Sequence, residues 1–142
     1  MILSNQVEEV LRTGLEGKEV LTATKILCPG VVTGRVVRVI DPYGVKLERE
    51  DDLPLVIVTE STDPGWTAFL GGLKKGDVLV TEVGGVLSHE AVAAAGFGFG
   101  VAYGVDGATE ILRNGQIVKI DPRVGEISIV EDSENTKRRI GI

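Results

Sequence analysis

Histidine, cysteine and tryptophan each occur once in this 142-residue chain, and aromatics are few: one Trp, two Tyr and three Phe. The single Cys28 excludes an intramolecular disulfide and a four-cysteine metal site. The single His89 confines any imidazole chemistry to one position. Basic residues are also in deficit: 15 Lys+Arg against 21 Asp+Glu give a formal charge of −6. That argues against general affinity for nucleic acid or an anionic membrane, since both require a basic surface. No apolar run approaches the ~18 residues of a membrane span, and the N-terminus lacks the basic-then-apolar pattern of a secretory signal. A soluble, cytoplasmic chain is the expectation. The length allows one ordinary domain. It does not allow a nucleotide-binding domain together with a substrate-binding barrel, which alone takes ~250 residues.

Glycine, by contrast, is abundant at 19 residues, and 43% of the chain is hydrophobic. With so few aromatics, the core must be built from Val, Ile, Leu and Ala. Residues 4–13 (SNQVEEVLRT) have helical spacing and end at Gly14 and Gly17. Lys25 to Cys28 and Val31 to Ile40 read as strands separated by a turn at Pro29-Gly30. A charged loop, 48–54, precedes Leu55 to Thr59, an apolar run suited to a strand buried on both faces. Asp63-Pro64 starts a short helix to Leu70. Asp77 to Thr81 is a second buried strand, and a helix from His89 to Ala95 ends at Gly96. Val101 to Tyr103 (strand), Ala108 to Leu112 (helix), Gln116 to Ile120 and Glu126 to Val130 (strands) complete the pattern. The final twelve residues lack periodicity and read as a mobile tail.

The segment Thr81 to Val92 (TEVGGVLSHEAV) concentrates the chemistry. A strand ends, Gly84-Gly85 allow a tight turn, and His89 enters the first turn of a helix capped by Ser88. Helix-terminal amides lack intrahelical acceptors, and the dipole favours an anion there. The same field disfavours imidazolium, leaving a neutral ring nitrogen free to attack phosphorus. Glu82 and Glu90 oppose it by favouring the cation. Val86, Leu87, Phe97 and Phe99 are expected to ring the site and keep water away. The bland alternative is a surface histidine at a helix start.

Thr81, Gly84, Gly85, Leu87, Ser88, His89, Ala91, Val92, Ala94, Gly98 and Gly104 follow the motif T-x-x-G-G-x-[TL]-S-H-x-A-[IV]-x-A-R-x-x-G-I-P-A-V-x-G. On this ground the chain resembles the phosphohistidine, or swivelling, mobile domain of the PEP-utilising enzymes, such as pyruvate phosphate dikinase and phosphoenolpyruvate synthase. Pro29 to Val36, Thr62 to Trp66, and Ala108 to Gly125 resemble that domain's opening, middle and closing motifs, in order. The resemblance implies an α/β fold of three layers, β/β/α, over 25–130, after a lead-in (1–24) and before the tail (131–142). It also implies a phosphoryl carrier. His89 would form a phosphohistidine, Gly84 and Gly85 would shape the loop, and Ser88 and Thr81 would line the phosphate site. No cofactor or metal is assigned to the chain, because magnesium and nucleotide would belong to nucleotide-binding and PEP- or pyruvate-binding partners acting in trans. Neither a nucleic-acid nor a membrane partner is expected, and no oligomeric state follows. Such a chain would be a phosphotransferase component without activity of its own.

Two departures stand out: Ala95 replaces the motif's arginine, and Gly100 its proline. They sustain an alternative, a non-catalytic interaction or regulatory domain that keeps the fold. Elsewhere the functional readings are weaker. Gly96-Phe97-Gly98-Phe99-Gly100 lacks the third glycine of a dinucleotide fingerprint. Lys74-Lys75 read as solvated, Glu48 to Asp52 as an exposed loop rather than a metal site, Cys28 as inert and Trp66 as a core anchor.

Overall fold

The computed structural model describes residues 19–49, 51–84 and 89–132. The expected helix over 4–13, Gly85, the Ser88 cap, and the tail beyond Asp132 lie outside them. The elements are β1 (Val20–Thr22), β2 (Lys25–Leu27), β3 (Val32–Arg38) and β4 (Leu55–Thr59), then a 3-10 turn (Pro64–Trp66) running into α1 (Thr67–Leu70). There follow β5 (Val78–Thr81), α2 (His89–Phe97), β6 (Gly100–Tyr103), α3 (Ala108–Ile111), β7 (Ile117–Asp121) and β8 (Glu126–Glu131).

The strands form one mixed sheet in the order β1-β8-β7-β3-β4-β5-β6-β2. Neighbours from β3 to β6 are parallel, and the remaining pairs are antiparallel. The two outermost strands are consecutive in the chain. Only Ala23 and Thr24 separate them, so the two margins lie within ~11 Å of each other. The Ala23 amide donates to Gly125 O at 2.9 Å, and the Thr24 amide to Tyr103 O at 2.9 Å. The sheet therefore curls until its ends meet. Gly104 permits the closure: its φ is +72°, and a Cβ there would collide with the Thr24 side chain.

Curling divides the apolar side chains between two cores. Val56, Val58, Val78, Val80 and Ala102 pack inside the curl against Leu21, Ile26, Val118, Ile120 and Ile127. Their alternates Leu55, Ile57, Leu79, Val101 and Tyr103 face outward, against Trp66, Leu70, Ala94 and Phe99. This is why β4 and β5 carry apolar residues at every position: both faces are covered. The result is the expected α/β architecture of three layers, β/β/α, and Trp66 is the core anchor expected.

Two expectations need correction. β1 was not anticipated, and it brings residues from the supposed lead-in into the sheet through pairing with β8. Helix α2 continues through Gly96 to Phe97, because the residue that turns the chain is Gly98, at φ +90°. Its amide still donates to Ala94 O at 2.7 Å, closing the last turn. Among the described residues no helix is long and apolar enough to cross a membrane.

The amino end of the parallel strands is fastened by one carboxylate. Asp77, 1% exposed, accepts from Arg49 Nη1 (3.0 Å) and Nη2 (2.5 Å), the Leu55 amide (2.9 Å) and the Lys74 amide (2.7 Å). Arg49 is therefore not part of a free loop, as the sequence suggested. Burial pushes the Asp77 carboxyl up, but the Arg49 guanidinium and the two amides outweigh it and hold the carboxyl below its ordinary value. Its contribution to stability is thus complete above the unfolded carboxyl's ordinary range and is lost as pH falls through the lower folded value. Asp77→Ala should cost about 3–5 kcal/mol by stranding the guanidinium and two amides. Urea unfolding at pH 7 measures this, and the gap to the parent should narrow at pH 3.

Candidate active site

In α/β folds with parallel strands, open or closed, ligands gather outside the carboxyl ends of the strands. Here those ends place Thr59 of β4 beside Thr81 of β5, in register. Strand alternation sets both on the helix-facing side with Ile57 and Leu79, and both are buried. Among the described residues, the Thr81 hydroxyl is the fully buried side-chain polar atom with no hydrogen-bond partner. Such a group costs about 1–3 kcal/mol unless something satisfies it.

The chain leaving β5 is fixed on every side. Thr81 O accepts the Val105 amide at 3.1 Å, and the Glu82 and Val83 amides both donate to Glu60 O, at 3.0 and 3.1 Å. The Glu82 carboxylate accepts from the Thr109 amide (2.8 Å) and hydroxyl (2.6 Å) at the start of α3. Glu82 Oε2, read from the sequence as a charge for His89, is thus engaged by another helix. Gly84 follows with φ +142°, which suits glycine and strains other residues.

His89 is the first residue of α2, as expected, while its ring and Ser88 and Gly85 lie outside the described parts of the site. Phe97 and Phe99, expected beside the histidine, sit at the far end of α2 and just beyond it. Eight residues of helix place Phe97 ~12 Å along the axis from His89. There it stacks on the buried Phe99, centroids 6.4 Å apart. Val86 and Leu87 are outside the described residues.

A cleft of about 390 Å³ opens beside these strand ends, lined among others by Arg38, Thr59, Glu60, Asp63 and Thr109. Arg38 brings a cation to this end of the sheet. Asp63 caps the 3-10 turn as its sequence context implied, accepting the Gly65 amide at 2.8 Å. Among the described residues no cluster of His, Cys, Asp or Glu could hold a metal ion. Asp51 is instead paired with Arg35 at 2.7 Å. Burial pushes the Cys28 thiol up, away from reactivity.

Sequence reasoning missed the tie between Glu82 and Thr109. Gly107, the residue before α3, cannot cap it with a side chain. The first amides of α3 must find an acceptor elsewhere, in another segment or in water, and that missing cap was the readable signal.

Thr81→Val keeps the volume and removes the unpartnered hydroxyl. It should raise stability by about 1 kcal/mol, seen as a higher urea midpoint with an unchanged slope. A lower midpoint would mean that the hydroxyl is paired in solution.

Comparison with known proteins agrees with this geometry. The family model for the PEP-utilising enzyme, mobile domain, matches residues 52–125. Over 122 residues the chain is 35% identical to a rifampicin phosphotransferase of Bacillus cereus, covering 83% of this chain and 13% of that protein. It is 32% identical to a phosphoenolpyruvate synthase of Aeropyrum pernix over 111 residues, covering 77% of this chain and 13% of that protein. The chain thus spans about one eighth of the length of these curated relatives. In fold it is like a chain of aconitase X from Thermococcus kodakaraensis, with a TM-score of 0.54 at 21% identity, covering 80% of this chain and 99% of that one. Strand ends, glycine turn and histidine-led helix stand inside the matched region, and the chain belongs to the family of PEP-utilising enzyme mobile domains.

Proposed function

We propose that the chain is a phosphoryl carrier: His89 accepts a phosphoryl group from one partner and delivers it to another. The observation that carries this reading is the buried, unpartnered Thr81 hydroxyl at the end of the strand leading to the His89 helix. A phosphoryl oxygen is an acceptor that such a hydroxyl would satisfy. The first amides of α2 supply further donors and a favourable field.

In the first half-reaction a neutral imidazole nitrogen attacks the donor's phosphorus. A P–N bond forms as the donor's bond to phosphorus breaks, and the leaving group departs with the electron pair. In the second, an acceptor oxygen attacks phosphorus and the imidazole leaves with the P–N pair. Ser88, Gly84 and Gly85 would shape the loop around the transferred group. The donor and acceptor centres are proposed to lie on nucleotide-binding and PEP- or pyruvate-binding partners, with no cofactor on this chain and the cytoplasm as its setting. The names of its relatives, a phosphotransferase and a phosphoenolpyruvate synthase, support phosphoryl transfer as the chemistry. A second reading, a non-catalytic interaction domain, draws on Ala95, exposed where the family motif has arginine.

Potassium phosphoramidate, a small phosphoryl donor that needs no partner, separates the two. The folded chain should acquire one phosphoryl group on His89, lost in acid and stable in alkali. Labelling should exceed that of a peptide spanning 85–93, and His89→Ala should abolish it. Thr81→Val should slow labelling despite its higher stability. Labelling no faster than the peptide would establish the non-catalytic reading.

A further inference from the structure

We infer that Glu82 is a positioning residue whose grip on Thr109 sets where the His89 loop leaves the sheet. This rests on the reading of His89 as the phosphoryl carrier. Three successive residues after the core of β5 are tied to three different segments: Thr81 O to Val105, the Glu82 and Val83 amides to Glu60, and the Glu82 carboxylate to Thr109. Among the described residues these are the last ties before His89. Val83 is 54% exposed, and Gly84 begins the turn. Gly84 leaves the sheet from this mount, and His89 follows five residue steps later, at most ~18 Å away.

Glu82 is the only side chain in that mount reaching sideways among the described residues, and it does so with a charge-assisted pair. Its carboxylate meets the amide of the second residue of α3, whose Gly107 cap offers no side chain. Two bonds converging on Oε2, one from backbone and one from side chain, fix its direction as well as its distance. α2 is anchored independently, through buried Ala94 and the Phe97–Phe99 stack at its far end. Releasing the Glu82 carboxylate would leave the helix body and the backbone ties to Glu60 and Val105 in place, and would loosen the point at which Gly84 leaves the sheet. An error of about 1 Å at a reacting group is worth on the order of 100-fold in rate.

His89 is the only histidine, so imidazole NMR signals report on it alone. Glu82→Ala and Thr109→Val should each shift those signals and slow phosphoramidate labelling by about tenfold or more, at temperatures where far-UV circular dichroism shows the fold intact. Glu82→Gln and Thr109→Ser retain an acceptor and a donor, and should restore the signals and most of the rate. Thr109→Val keeps the amide bond and covers the case in which Glu82→Ala does not fold. Unchanged His89 signals in the folded variants would overturn the inference, leaving Glu82 as a cap for α3 only. Should the parent chain fail to take phosphate, the carrier reading falls, while the NMR comparison still decides the role of Glu82.

Discussion

Two residues, Ala23 and Thr24, join the strands at opposite margins of an eight-stranded sheet. A dipeptide cannot span an open sheet of that width, where neighbouring strands are spaced ~4.8 Å apart. The sheet must curl, and curling creates an inner face that only aliphatic side chains fill. The scarcity of aromatic residues follows from this, since the inner layer is Val, Ile, Leu and Ala throughout. The outer layer, covered by helices, is where Trp66, Phe99 and Tyr103 find room.

The same curl aligns the site. With β3 to β6 parallel, every connection on the helical side returns to the amino end, and the carboxyl ends of the strands share one rim. Asp77 fastens the opposite rim, so disturbance there is absorbed by a satisfied ion pair and two amides. Thr81 on the site rim is the contrary case, a buried hydroxyl left without a partner. A fold that satisfies its buried side-chain polar atoms everywhere else among the described residues is locally less stable at this strand end. Functional sites commonly carry that kind of local cost.

Strands β4 and β5 were legible because continuous apolar runs admit few other readings, and Asp63-Pro64 announced its turn by capping chemistry. β1 was not legible. Three residues with only Leu21 buried carry no period, and the strand exists because β8 pairs with it. Gly96 misled because a glycine inside a helix costs ~1 kcal/mol without forcing an end, whereas Gly98 adopts positive φ. The ties from Arg49 to Asp77 and from Glu82 to Thr109 join residues 28 and 27 positions apart. No local spacing rule reaches that far. The histidine, its glycines and the serine were visible through motif, while the ties of Thr81, Glu82 and Val83 were visible only in three dimensions.

The two departures from the family motif now carry different weights. A Cβ at Gly100 would lie 2.5 Å from Cys28 Sγ and 3.3 Å from Leu27 O. The space beside that backbone is filled by the thiol, whose raised pKa reflects the burial. Glycine in place of proline is therefore accounted for by packing beside Cys28 and by the Gly100 amide, which donates to Asp77 O at 2.8 Å, a bond proline cannot make. Ala95 differs. It is exposed on α2, six residues beyond His89, and no neighbour explains the lost side chain. Only there does the chain surrender a cation without a structural reason. Arg38, in the adjoining cleft, is a cation that this end of the sheet does carry.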